Sequence, residues 1–423
     1  MNKIILNKID VQQKKIIYSY SIEGNLKKYF KNKNKYSIKY EYDLSSVPIG
    51  ILAIPFVANV LPIVWLFNAE LYIDSLDYNF YESIDEIKKA YIKMYPQLEF
   101  LGKIIVNNKE KNYYSGTKKG LFFSGGLDAT STLITHYEEK PLLINIQGSD
   151  LSTYYKKVLK KVKAYLSNVA KDFNLDITFI KSEFRTIIKE KVVTKYFYEQ
   201  VKDNYWHGFQ HGIAIISHGA PIAYIEKLDL IYIAASYTKE SLVPCASDPT
   251  IDNRVILSNT KIFHDGFELD RNAKSQNVVN FINNYNKKIK LRVCYEDYRV
   301  ENCCSCEKCY RTIMNFCAKD FDVKKVGFNL TEKNFKKMEN DLKNRIIFTT
   351  SDKAYWTTIQ NEFNLHPNLK KDIRFAWIYD LDLNNINNNK IKKIKTFIYK
   401  NVRRIKKIVI LIMNVLGSDN DDW

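Results

Sequence analysis

The sequence predicts an α/β protein built on a parallel, doubly wound sheet, flanked by a β-rich module before it and a helical region after it. Three observations lead there. From Lys118 onward, short apolar runs alternate with helical periodicity. A glycine-rich junction at Ser124-Gly125-Gly126 joins one such run to a helix. Before residue 115 the pattern is instead β-rich, and after Cys317 it is helical and basic.

The elements follow in order. Ile16-Ile17-Tyr18-Ser19-Tyr20-Ser21-Ile22 and Tyr36-Ser37-Ile38-Lys39-Tyr40-Glu41-Tyr42 read as strands. Residues 47–69 are apolar and long enough to span a bilayer, and no Asp, Glu, Lys or Arg falls between Asp43 and Glu70. Pro48, Pro55 and Pro62 interrupt the stretch. Because proline breaks a helix interior, a buried, broken strand with short helix is expected there. Residues 84–95 have helical spacing, and 107–117 read as a polar connector, so 1–115 is expected to be a separate module. Strands are then expected at 120–123, 141–147, 177–181, 228–235 and 261–264. Helices are expected at 127–137, 154–173, 205–217 and 271–285. Short strands joined by helices imply parallel pairing. One domain of this type is expected over 118–320, with a helical extension at 321–383. The Asn-rich stretch near 384–389 reads as a linker, and a basic tail covers 390–423.

Lys and Arg number 65 against 47 Asp and Glu, a net charge of +18. Nucleic acid, an anionic membrane and phosphate-bearing ligands all fit that balance. So does the compositional bias of an AT-rich genome, since Lys, Asn, Ile and Tyr are all abundant. The chain is too long for a small disulfide scaffold, and its N-terminal decapeptide lacks a signal-like apolar run. A reducing, cytoplasmic setting is expected.

The stretch Leu121-Phe122-Phe123-Ser124-Gly125-Gly126-Leu127-Asp128 carries the chemistry. Two glycines let the backbone approach an anion closely, and the helix start behind them offers free N–H groups. Ser124 and Thr130 add hydroxyls, and Asp128 is suited to hold magnesium or to orient the loop. No Lys-Ser/Thr follows the glycines, so this is not a Walker A loop. ATP is the expected ligand, held by Ser124, Gly125, Gly126, Leu127, Asp128 and Thr130, with Ser124 and Asp128 as the catalytic pair.

Four of the seven cysteines, Cys294, Cys303, Cys306 and Cys309, have the spacing C-x8-C-x2-C-x2-C. Four thiolates at that spacing suit a closed structural zinc site. Cys304 and Cys317 are left over. His207 and His211 lie four apart, a spacing that allows metal binding or a place in a substrate pocket. Arg271 and Lys274 open a helix, where a cation would neutralise ATP phosphates. Asn145 and Gln147 end the second expected strand of the domain, at the edge where open parallel sheets bind ligands. Cys245 is a candidate nucleophile without an evident histidine partner.

The loop resembles the SGGxDS loop of the N-type ATP pyrophosphatases, the PP-loop superfamily, with Ala129 where Ser is usual. Together with the cysteine spacing some 170 residues later, it resembles the 7-cyano-7-deazaguanine synthases over roughly residues 118–320. The resemblance implies an adenine-nucleotide α-hydrolase core of Rossmann type that cuts ATP between its α and β phosphates. It implies a C–N ligase, in which an ionised carboxylate attacks ATP without a general base and a nitrogen nucleophile displaces AMP. The cofactors implied are Mg2+ and Zn2+. A Tyr-Pro-Asp-Cys-Arg stretch of that family is replaced here by Leu242-Val243-Pro244-Cys245-Ala246-Ser247-Asp248. A divergent paralogue is therefore expected, resembling enzymes of antiphage defence or those near surface-polysaccharide genes. Expected partners are a carboxylate-type or protein acceptor, an ammonia or amine donor, proteins of the same operon and a second copy of the chain. Two other functions fit the same loop: RNA modification or sulfur transfer, and non-catalytic nucleotide binding. The tail at 390–416 has the composition of an amphipathic helix for membrane or nucleic acid.

Overall fold

A computed structural model describes residues 2–240, 243–294, 300–388 and 390–416; the acidic end at 419–423 lies outside them. The chain is mixed α/β around one sheet. Its strands are β1 (Lys3–Gln12), β2 (Lys15–Glu23), β3 (Lys35–Lys39), β4 (Glu70–Asp77), β5 (Lys103–Glu110), β6 (Lys118–Phe122), β7 (Leu142–Gln147), β8 (Ile177–Ser182), β9 (Leu228–Ala234), β10 (Ile256–Leu257) and β11 (Thr260–Asp265). Across the sheet they run β10-β11-β9-β6-β7-β8-β3-β2-β1-β4-β5.

Five of these strands, β8-β7-β6-β9-β11, are mutually parallel. Numbered by their own succession they stand in the order 3-2-1-4-5. The chain leaves β6 towards β7 on one side and reaches β9 on the other, so a switch point opens at the carboxyl end of β6. All five expected strands of this region form.

The first 115 residues do not stand apart. β3 pairs antiparallel with β8, Ile38 opposite Ser182 and Lys39 opposite Lys181, so the N-terminal strands prolong the sheet. An otherwise open edge at β8 is thereby closed. The expected connector at 107–117 is partly strand, since β5 runs to Glu110.

The stretch at 47–69 is one unbroken helix, α1 (Ile49–Leu66), with Pro55 and Pro62 inside it. It lies within the protein, 94% buried. Each interior proline costs about 3 kcal/mol. Ten large apolar side chains between Ile51 and Trp65 are at most 1% exposed, and each stabilises by about 1.5–3 kcal/mol. Burial therefore outweighs the prolines, and Tyr18 adds a hydrogen bond from its hydroxyl to the Leu52 carbonyl at 2.8 Å.

Helices cover both faces, and the numbering along the chain includes α2 (Tyr78–Met94), α5 (Glu190–Val201), α8 (Pro249–Asp252), α11 (Glu332–Asn344) and α13 (Ala376–Tyr379). On one face, α1 packs with α6 (His211–Ser217) and α7 (Ala220–Glu226). On the other lie α3 (Leu127–Thr135), α4 (Lys156–Phe173) and α9 (Arg271–Tyr285). The C-terminal helices build outward from that second face: α10 (Glu307–Cys317) packs on α9, and α12 (Thr350–Asn364) packs on α10.

Candidate functional site

The junction of β6 and α3 forms as the sequence predicts. Gly125 has φ +75°, a left-handed conformation that glycine adopts without strain. A side chain there would also lie 2.9 Å from Leu166. Gly126 caps α3 in an extended conformation, and its N–H donates to Ser124 Oγ at 3.3 Å. The loop thus presents the start of α3, with its N–H groups and dipole, at the sheet's carboxyl edge.

A cavity of about 490 Å3 opens there. Ser124, Gly126, Leu127, Asp128 and Ala129 form its floor, and Asn145 and Gln147 from β7 stand on one side. Ser236 and Ser247, which follow β9, line it too, as do His211 and Asp150. A larger hollow of about 670 Å3 elsewhere carries only Glu70 and Lys103 as charged groups. These two are paired at 3.0 Å, so that hollow offers no comparable chemistry.

Asp128 faces two buried cations. Arg271 Nη1 lies 3.1 Å and Lys274 Nζ 3.6 Å from its oxygens. Burial alone would raise its pKa, but Arg271 and Lys274, with Lys308 and Arg311 beyond them, hold it below the ordinary carboxylate value. It is therefore ionised at neutral pH. Lys274 is only 2% exposed and also donates to the Ala235 carbonyl at 2.6 Å. It stands behind the loop, paired with Asp128, and does not line the cavity. Arg271 stands behind it too, with Nε and Nη2 buried and unpartnered. Thr130, expected among the phosphate ligands, is 2% exposed and does not line the cavity, whereas Ala129 does.

The cations on the wall are Arg292 and Lys308, and both were missed in the sequence. Their position relative to the cysteines was the signal: Arg292 precedes Cys294 by two residues, and Lys308 lies between Cys306 and Cys309. The cysteine segment folds back over the loop, and the Arg292 N–H donates to the Gly125 carbonyl at 2.7 Å.

All four expected cysteine sulfurs lie within 4.8 Å of one another. Cys294 and Cys306 are 4.0 Å apart, and Cys303 and Cys309 are 3.9 Å apart. A tetrahedron with metal–sulfur bonds of about 2.3 Å has edges of about 3.8 Å, so one tetrahedral ion fits. The sulfurs are too far apart for disulfides, whose bond is about 2.05 Å. Hydrogen bonds from Cys294, Cys306 and Cys309 pull the Cys303 thiol far below its ordinary pKa. Cys304 stays outside the cluster, raised to about 11 by burial, and Cys317 packs inside α10.

The histidine pair divides. His207 bonds Asp203 at 2.5 Å and the Tyr237 hydroxyl at 3.0 Å. It belongs to a π-turn at Trp206–Gln210 that leads into α6, whereas His211 lines the cavity. Among the described residues the metal-capable cluster is the cysteine one. Cys245 is buried, and its thiol, pushed up to about 12 by that burial, donates to the Ser247 carbonyl at 2.9 Å. That environment disfavours a nucleophilic thiolate.

The chain matches no protein-family model, no curated protein and no solved structure.

Proposed function

We propose that this protein binds ATP in the cavity above β6, with the phosphates on Ser124, Gly125, Gly126 and Leu127, and cleaves it between the α and β phosphorus atoms. The observation that carries the reading is the strand–glycine–helix loop at the switch point of a 3-2-1-4-5 parallel sheet, with Arg292 and Lys308 on the wall facing it. The N–H groups at the start of α3, its helix dipole and two cations supply what a departing pyrophosphate needs. Together they favour an adenine-nucleotide α-hydrolase core of the PP-loop kind. Asp128 and Asp150 are the carboxylates on the cavity, and either would carry the magnesium that accompanies ATP.

The reaction is activation of a carboxylate or similar oxygen as its adenylate, followed by attack of ammonia or an amine. This is similar to the chemistry of 7-cyano-7-deazaguanine synthases. Asn145, His211, Ser236 and Ser247 surround the space left for the acceptor. The wall at 243–248 has no arginine and holds a buried Cys245, which favours an acceptor other than a deazaguanine. A sulfur-transfer role is disfavoured by the same buried thiol. The cysteine cluster is read as a structural zinc site. Its work is to hold Arg292 and Lys308 over the loop, and cysteines outside disulfides suit a reducing, cytoplasmic setting.

The test is product identity. Purified protein with magnesium, ATP and candidate acceptors should release AMP and pyrophosphate, as read by phosphorus NMR. Release of ADP and orthophosphate would sink the reading.

A further inference from the structure

The last described element, α14 (Lys390–Leu416), is not used by the nucleotide site. Its sequence contains nine Lys or Arg and no Asp or Glu. At roughly 100° per residue, Lys392, Thr396, Tyr399, Arg403 and Ile410 fall on one side. That side is docked. Lys392 is buried and donates to the Leu342 and Ile386 carbonyls, both at 2.7 Å. Thr396 donates to the Arg345 carbonyl, and the Arg345 guanidinium lies 4.1 Å over the Tyr399 ring. Ile410 packs against the core.

The opposite side is apolar and faces outward. Ile394, Phe397, Ile398, Ile405, Ile408 and Ile412 are 48–68% exposed, with Val402 and Val409 between them at 44–46%. With the exposed Asn401 among them, they line an arc of roughly 140°, wider than a coiled-coil seam. Its flanks are basic: Lys395 and Lys406 on one edge, Lys393, Lys400 and Arg404 on the other, all exposed. An amphipathic helix normally buries its apolar face; this one docks by its polar face and turns the apolar one away.

From this we infer that α14 is an interfacial anchor that lays the protein on an anionic lipid bilayer. The apolar arc enters the acyl boundary, and the two basic edges meet the headgroups. Charge complementarity selects this occupant. A second copy of the helix would bring like-charged edges together, and a nucleic acid would leave the apolar arc in water. The inference is independent of the nucleotide reading.

Vesicle co-sedimentation of the full chain tests it, comparing phosphatidylserine-containing with purely phosphatidylcholine vesicles. Binding should be at least tenfold stronger to the anionic vesicles and should weaken with salt. The double variant Ile398→Glu/Ile405→Glu changes only exposed positions. It should lower binding at least tenfold at an unchanged melting temperature. The inference is overturned by no sedimentation with anionic vesicles at low salt, or by wild-type sedimentation of the variant. It is equally overturned by a dimer in sedimentation velocity that the variant dissolves, or by RNA binding that displaces the protein from vesicles and survives the substitutions.

Discussion

Replacing Gly126 by alanine separates anion binding from folding. Gly126 has φ −76°, which alanine accepts. A built Cβ meets nothing closer than Ser124 Oγ at 3.4 Å and the Arg292 carbonyl at 3.8 Å. The folding cost is then that of exchanging glycine for alanine at a helix N-cap, about 1 kcal/mol. Gly126 lines the cavity, however, and a methyl group added there would crowd an anion held on the loop backbone. Displacing one hydrogen bond between an N–H and a charged phosphate costs about 1.5–3 kcal/mol, roughly a 10- to 150-fold loss of ATP affinity. Isothermal titration with Mg-ATP, paired with a urea melt, reads both quantities. Wild-type ATP affinity in Gly126→Ala would refute the phosphate loop. Gly125→Ala makes the contrast, because φ +75° and the 2.9 Å approach to Leu166 should make it the more destabilising of the two.

Asp128→Ala should lower stability by about 3 kcal/mol, because it leaves buried Arg271 and Lys274 without their counter-ion; an unchanged denaturation midpoint would show that the pair does not hold the loop. Cys306→Ser should abolish stoichiometric zinc, measured by atomic emission, and weaken ATP binding as the Arg292 and Lys308 wall loosens; full zinc content would refute the four-sulfur site. His218 is wholly buried, with its ring on the Ala214 carbonyl and Ser182 hydroxyl, and burial lowers its pKa from 6.5 to about 4. Its contribution is present above pH 6.5 and is lost as pH falls from 6.5 towards 4, about 3 kcal/mol in all. His211, lowered by burial, acts in the same direction. His136 acts oppositely: burial alone would lower its pKa, but the hydrogen bonds its ring donates to Asp265 and Glu139 raise it, so its contribution is lost as pH rises. Urea midpoints at pH 7 and pH 4.5 for wild type and His218→Gln should therefore differ in slope, and identical slopes would refute the assignment.

Local pattern by itself determined the five parallel strands from Lys118 to Asp265, the loop at Ser124–Asp128 and the four-cysteine set. Each is encoded within a few residues: alternation of apolar runs, glycines between a strand and a helix, thiols at ligand spacing. What depends on distant partners was decided only in three dimensions. The β3–β8 pairing joins residues more than 140 positions apart, so nothing near Ile38 announces that the N-terminal strands extend the sheet. The two prolines of α1 argue locally for a break, and only the surrounding core, which buries the helix on every side, overrides them. Lys274 and Thr130 have suitable chemistry for phosphate, but Asp128 and the core claim them first. Arg292 and Lys308 reach the cavity because the cysteine segment folds across the loop. The outward apolar face of α14 follows from which side Lys392 and Tyr399 dock, a choice made by carbonyls and an arginine some fifty residues earlier.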